Sequence, residues 1–89
     1  MTTIQDPAVK ADLLRRLRRI EGQVRGVSRM IEEGRDCQEV LQQLAAIRSA
    51  THQTSLRLMR SYATQCVRTA DDSPDQVVDA LIQALSRVP

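Results

Sequence analysis

Residues 37–66, CQEVLQQLAAIRSATHQTSLRLMRSYATQC, decide the fold of this 89-residue chain. The stretch has neither Gly nor Pro and predicts one long α-helix, with the chain's two cysteines, Cys37 and Cys66, at its ends. Along such a helix the sulfurs lie about 43 Å apart, so the two thiols of one chain cannot meet. They face the same side, about 20° apart around the axis. Two copies packed antiparallel would bring Cys37 of one chain beside Cys66 of the other.

A second helix is predicted before this stretch, over residues 7–33. It follows an arm, residues 1–6, that we expect to be disordered, and Asp6-Pro7 is a helix-start signal. Its apolar residues recur every three or four positions and fall within about 80° of arc. This apolar seam consists of Leu13, Leu17, Ile20, Val24, Val27 and Ile31.

Charge is unevenly distributed along the chain. Seven basic residues lie between Val9 and Met30 against two acidic ones, although the formal net charge of the chain is only +2. Arg15, Arg18, Arg25 and Arg29 share the face opposite the apolar seam and form an arginine stripe about 20 Å long. A basic N-terminal half on a nearly neutral chain indicates that the protein binds a polyanion, most simply nucleic acid. The alternative is that the arginines form an ordinary solvated helix face.

The rest of the chain completes a single all-α domain over residues 1–89. Gly34 is expected to end the first helix in a left-handed conformation, and Asp36 with Glu39 resembles a capping box at the start of the second helix, residues 37–69. A third helix is predicted over 75–86. No signal peptide or membrane span is evident, so we expect a cytoplasmic protein whose cysteines are reactive or metal-binding rather than a structural disulfide.

Three segments together resemble the CsoR/RcnR family of bacterial repressors. They are residues 16–26, RLRRIEGQVRG, then Cys37, then residues 41–47, LQQLAAI. The resemblance covers the chain from about Leu13 to Leu85. It implies a three-helix subunit, a dimer built on antiparallel second helices, a dimer-of-dimers tetramer, and binding to double-stranded operator DNA that an inducer releases. It implies no enzymatic activity and no resident cofactor.

The resemblance also points to a branch of the family. The copper(I) sensors carry Cys, His and Cys at the spacing of Cys37, Tyr62 and Cys66, so the histidine is missing here. Tyr is a poor ligand for copper(I), which prefers thiolate and imidazole. Asp36 and Ala80 stand where those sensors have Tyr and Glu. Two thiols without the metal-binding histidine resemble the CstR branch, whose members sense persulfide.

In that interpretation Cys37 and Cys66 form an inter-subunit dithiol. Cys37, at a helix N-terminus that favours a thiolate, is expected to attack the persulfide, and Cys66 of a second copy to resolve it. Asp36 beside Cys37 opposes that effect, and Tyr62 is expected mainly to pack over the site. The product would be a disulfide or a bridge with extra sulfurs, which derepresses sulfide-detoxification genes. His52, the only histidine, is expected to be an ordinary surface or interface residue.

The candidate DNA contacts are Arg15, Arg18, Arg19 and Arg25, followed by Arg16, Gln23 and Arg48. Two other functions remain open at this point. One is a copper(I)-sensing repressor that uses the thiolates of Cys37 and Cys66 alone. The other, from a different class, is a small thiol redox or sulfur-carrier protein, against which stand the absent C-x-x-C motif and the arginine stripe.

Overall fold

The computed structural model describes residues 3–69 and 73–87, which form three α-helices. Helix α1 spans Pro7–Glu32, α2 spans Cys37–Thr69 and α3 spans Pro74–Ser86. The predicted all-helical, three-helix subunit is therefore confirmed. Helix α2 is continuous, so it sets the length of an elongated molecule that measures 56 × 26 × 16 Å.

The ends of α1 follow from short-range chemistry. The Asp6 carboxylate accepts a hydrogen bond from the Ala8 backbone N–H at 2.9 Å, and Pro7 occupies the first turn, where no amide donor is needed. At the other end Gly34 has a φ of 70°, the left-handed conformation that favours glycine. The backbone N–H of Arg35 then donates to the Met30 carbonyl at 3.0 Å, which ends the helix.

Asp36 caps the start of helix α2, because its side chain accepts a hydrogen bond from the Gln38 backbone N–H at 3.1 Å. The expected capping box is only half formed. Glu39 does not complete it, because its carboxylate binds the Arg35 guanidinium at 2.8 and 3.1 Å. The loop between α1 and α2 is thus held by an ion pair in place of the reciprocal cap.

The N-terminal arm was expected to be disordered, but Thr3 and Gln5 are hydrogen-bonded to α2. The Gln65 side chain donates to the Thr3 carbonyl at 2.9 Å and accepts from the Gln5 backbone N–H at 3.4 Å. Because one carboxamide satisfies two backbone groups of the arm, it fixes the arm beside the last turns of α2. The first two residues of the predicted arm lie outside the described residues.

A single subunit covers only part of its apolar surface. Val9, Leu13 and Val27 are buried where α1 packs against α2, and α3 packs only against α2 among the described residues. Three residues of the predicted apolar seam remain exposed, Leu17 at 49%, Val24 at 47% and Ile31 at 61%. Many large apolar side chains outside the seam are also exposed: Leu14, Leu41, Leu44, Leu56, Leu58, Val67, Val78 and Ile82. Such a surface is typical of a chain that associates.

None of the helices, over the residues that the structure describes, is both long enough and apolar enough to cross a membrane.

Candidate thiol site and basic surface

The two thiols lie at opposite ends of α2. Cys37 is its first residue and is exposed, whereas Cys66 lies in its last turns and is half-buried. Because the helix between them is unbroken, the sulfurs stay about 43 Å apart in one subunit. Both are free thiols. A dithiol site therefore requires a second copy of the chain.

Cys66 has a phenol beside it. Tyr62 precedes Cys66 by one helical turn, so the two side chains lie on the same face of α2. The negative charge of a Cys66 thiolate, helped by hydrogen bonding to Cys66 and by burial, raises the pKa of Tyr62, while Arg87 opposes the shift. Tyr62 therefore keeps its proton at neutral pH and can donate it to the sulfur. The sequence predicted mainly a packing role for Tyr62 and left a hydrogen bond from its hydroxyl to a thiolate open.

An apolar groove of about 780 Å³ lies next to Tyr62. It runs between the N-terminal arm, the C-terminal half of α2 and α3. Its apolar lining residues include Ile4, Leu58, Met59, Leu81 and Ala84. Tyr62 thus lines the apolar groove and lies one helical turn from the Cys66 thiol.

The surroundings of Cys37 are more polar. Asp36 caps α2, and the nearby charges of Arg35, Glu33 and Glu39 form ion pairs at 4.0 and 2.8 Å. No cluster of three His, Cys, Asp or Glu side chains able to hold a metal ion occurs in the described part of one subunit. His52 is exposed, in line with its expected role. The two thiols, which are suitable donors for a soft metal, lie at opposite ends of α2 in one subunit.

The arginine stripe lies along the exposed face of α1. Arg15, Arg18, Arg25 and Arg29 are all exposed. Arg25 pairs with Glu21 at 2.7 Å, whereas Arg18 and Arg29 have no ion pair among the described residues.

Two glycines, Arg19 and Gln23 also lie on α1 near the stripe. Gly22 and Gly26 share the stripe's side of the helix wheel, and a Cβ added to either would meet nothing within 4 Å. Arg19 is exposed as well. Gln23, another predicted DNA contact, is half-buried, and its side-chain oxygen is buried without a hydrogen-bond partner within the described chain.

The Asp12 carboxylate forms ion pairs with three arginines where α1 packs against α2. It binds Arg15, accepts from the Arg16 Nε at 2.9 Å, and lies 3.6 Å from the Arg57 Nε. The hydrogen bond from Arg16, together with the charges of Arg16 and Arg15, lowers the pKa of Asp12. The Asp12–Arg57 contact is the one ion pair that joins two helices within residues 3–69 and 73–87.

Arg57 and Gln65 were missed at the sequence level. Nothing in the local pattern distinguishes Arg57 from the other arginines of α2, because its pairing with Asp12 depends on how the helices pack. On the helix wheel Arg57 lies about 180° from Arg48, the α2 arginine that the sequence favoured. Arg48 is exposed on the side of α2 that carries both cysteines.

Comparison with known proteins places these features in a family. The profile described as "Metal-sensitive transcriptional repressor" matches residues 9–87. The copper-sensing transcriptional repressor RicR of Mycobacterium tuberculosis is 46% identical over 61 residues, which are 68% of this chain and 64% of that protein. The chain thus matches just under two thirds of RicR.

Two further proteins match over more of their length. The copper-sensing transcriptional repressor CsoR of Bacillus subtilis is 36% identical over 80 residues, 88% of this chain and 79% of that protein. Among solved structures, the nickel-responsive transcriptional regulator InrS matches with a TM-score of 0.81 and 32% identity over 98% of this chain and 97% of that one.

Proposed function

Since the chain belongs to the family of metal-sensitive transcriptional repressors, we propose that it represses transcription by binding operator DNA, and that persulfide releases it. The family consists of repressors and not of enzymes, so the small thiol redox or sulfur-carrier protein considered above is not proposed. The observation that carries the proposal is the pair of free thiols at the two ends of one unbroken helix, with Tyr62 one turn from Cys66.

The first step of the proposal is assembly. Two subunits pack their α2 helices antiparallel, and two such dimers form a tetramer. The apolar side chains that one subunit leaves exposed on α2, such as Leu41 and Leu44, support this arrangement because a partner helix would cover them. Each dimer then has two identical sites, each made of one Cys37 and one Cys66 from different chains.

The second step is sulfur transfer. A Cys37 thiolate attacks the outer sulfur of a persulfide RS–SH, forms Cys37–S–SH and releases RS⁻. The Cys66 thiolate of the second copy then attacks the Cys37 sulfur, forms the inter-subunit disulfide and releases HS⁻. The persulfide is the two-electron oxidant, so no other oxidant is needed. If both cysteines carry an extra sulfur, their condensation gives a trisulfide and H₂S.

The third step is release of DNA. The α1 helices present Arg15, Arg18, Arg19 and Arg25 to phosphates; Arg16 and Gln23 of α1 and Arg48 of α2 are secondary contacts. Bridges at both ends of the α2 pair fix the angle between the two subunits, and the arginine stripes then no longer match the spacing of the phosphates. Of the secondary contacts, Gln23 and Arg48 have the least support. The side-chain oxygen of Gln23 is buried, and Arg48 lies on the thiol side of α2, where the partner helix packs in the proposed dimer.

The test combines DNA binding with mass measurement. The protein is mixed with inorganic polysulfide on a fragment of its own promoter region, and the bound fraction and intact mass are followed together. We expect loss of the DNA complex in step with a covalent dimer of two 10.0 kDa chains. Cys37→Ala should bind DNA normally and stay bound. If Cys37→Ala is released as readily as the natural chain, the proposed sensor is wrong.

Copper(I) is the second candidate inducer, because RicR and the Bacillus subtilis CsoR are named as copper sensors. Two thiolates across the subunit boundary suit a soft cation, but Tyr62 adds no imidazole. Titration of copper(I) against a chelator of known affinity distinguishes a copper(I) sensor from a persulfide sensor. A site that withdraws copper(I) from the chelator and releases DNA without forming a covalent dimer would favour the metal.

A further inference from the structure

The strongest unexplained cluster outside the thiol site is the group of three arginines around Asp12. Three guanidinium groups, of Arg15, Arg16 and Arg57, share one carboxylate, which leaves two positive charges uncompensated. The Asp12 side chain is only 18% exposed, whereas that of Arg57 is 35% exposed and that of Arg15 is 73% exposed. An excess of positive charge held close together attracts an anion.

The position of the cluster identifies which surface of the protein this anion would occupy. The seam between α1 and α2 has two edges. On the helix wheel, the exposed apolar residues Leu17 and Val24 border one edge, and Asp12 and Arg19 border the other. Because Arg57 reaches Asp12, it lies at the second edge, which continues into the arginine stripe of α1.

We propose that Arg57 is a phosphate-binding residue that adds the α1-facing side of α2 to the DNA-binding surface. The inference rests on the proposed DNA binding and adds a residue, on a second helix, that sequence reasoning did not select. The Asp12 carboxylate holds the Arg57 and Arg16 side chains at the seam in the free protein. A phosphate reaching the seam supplies the negative charge that the cluster lacks, and guanidinium groups match phosphate oxygens in geometry.

Salt dependence of DNA binding measures this role directly. Each phosphate contact contributes about 0.9 to the slope of log K against log salt concentration. Arg57→Gln should therefore reduce the slope by at least about 0.9, and at 0.1 M salt it should weaken binding to any duplex by about eightfold. The measurement is fluorescence anisotropy of the full chain on a labelled duplex at several salt concentrations.

Two matched variants make the test specific. Arg87→Gln removes the same charge from the residue that follows α3, a helix that does not contact α1 in the described structure. This variant should reduce the salt slope by less than half of the reduction caused by Arg57→Gln. Arg57→Lys loses the guanidinium geometry but keeps the positive charge, so it should retain the slope, which depends on the number of phosphates neutralised. If Arg57→Gln behaves like Arg87→Gln, or if Arg57→Lys loses as much slope as Arg57→Gln, the inference is overturned and Arg57 is only a helix-joining residue.

The test also separates this inference from the proposed function. If the natural chain binds no duplex at low salt, DNA binding itself fails. If it binds and Arg57→Gln binds equally well with the same slope, only the role of Arg57 fails. Circular dichroism melting of each variant checks that the helices are intact, since Arg57 also joins α1 to α2.

Discussion

Covalent complementation between two single-cysteine chains tests the geometry of the thiol site. Cys37→Ala and Cys66→Ala are purified alone and after co-expression with different affinity tags. The structure fixes the two positions about 43 Å apart on one helix, so each single variant keeps one reactive position at one end only. In an antiparallel pair that lone thiol faces an alanine.

The expected yields follow from this arrangement. Neither variant alone should form a covalent dimer with polysulfide, because like cysteines stay about 43 Å apart in an antiparallel pair. The co-expressed chains should assemble in a 1:2:1 ratio, so about half of the dimers carry one Cys37–Cys66 bridge. The natural chain should crosslink completely, with two bridges per dimer.

The assay is a denaturing gel without reductant, followed by intact mass of the band near twice 10.0 kDa. A control with iodoacetamide added before polysulfide should abolish the band in every sample. Rapid crosslinking of either variant by itself would show that like thiols meet, as in a parallel pair, and would refute the antiparallel site. Failure of the mixed chains to crosslink, with the natural chain crosslinking, would refute pairing of Cys37 with Cys66.

Three further predictions test other parts of the structure. Changing both Arg15 and Arg18 to Gln should lower the salt slope of DNA binding by about 1.8, measured by anisotropy; an unchanged slope would exclude the stripe as the contact surface. Gly34→Ala should lower the free energy of unfolding by about 1 kcal/mol in urea titrations. Alanine is strained at the φ of 70°, and its added methyl group would have no atom within 4 Å to pack against; an unchanged free energy would contradict the left-handed cap. Tyr62→Phe should slow crosslinking at pH 7 several-fold, because Phe cannot donate a hydrogen bond to the Cys66 sulfur. Above the raised pKa of Tyr62 the advantage of the natural chain should be lost, because a phenolate donates no hydrogen bond and repels the thiolate. Equal rates at pH 7, measured by quenched-flow mass spectrometry, would exclude the hydrogen bond to Cys66.

The helices were predictable because their signals are local. Asp6 and Pro7 start α1 through contacts within the next turn, and Gly34 ends it through its own backbone conformation. The absence of Gly and Pro between Cys37 and Cys66 was enough to indicate one continuous helix. These features require no knowledge of which helix packs against which.

The features that sequence reasoning missed depend on contacts between distant parts of the chain. The arm was expected to be disordered because residues 1–6 have no apolar pattern, yet Gln65, far along the chain, binds the backbone of residues 3–5. The apolar seam was read as one packing face, although α2 covers Leu13 and Val27 and leaves Val24 half exposed. The simplest way to cover the apolar side chains that remain exposed is packing against a second copy of the chain.

Helix α2 connects the two proposed surfaces, because it carries thiols on one side and Arg57 on the other. On the wheel Arg57 lies about 180° from the side shared by Cys37 and Cys66. A bridge that rolls or shifts α2 at the thiol side would therefore move Arg57 relative to Asp12 on α1. In the proposed repressor, a reaction at the cysteines then disturbs the seam where α2 meets the arginine stripe, without any contact between thiol and DNA. Asp12→Asn should weaken this connection: polysulfide would still form the covalent dimer but would release less of the bound DNA. Full release by Asp12→Asn, measured beside the natural chain at equal crosslinking, would show that the signal takes another route.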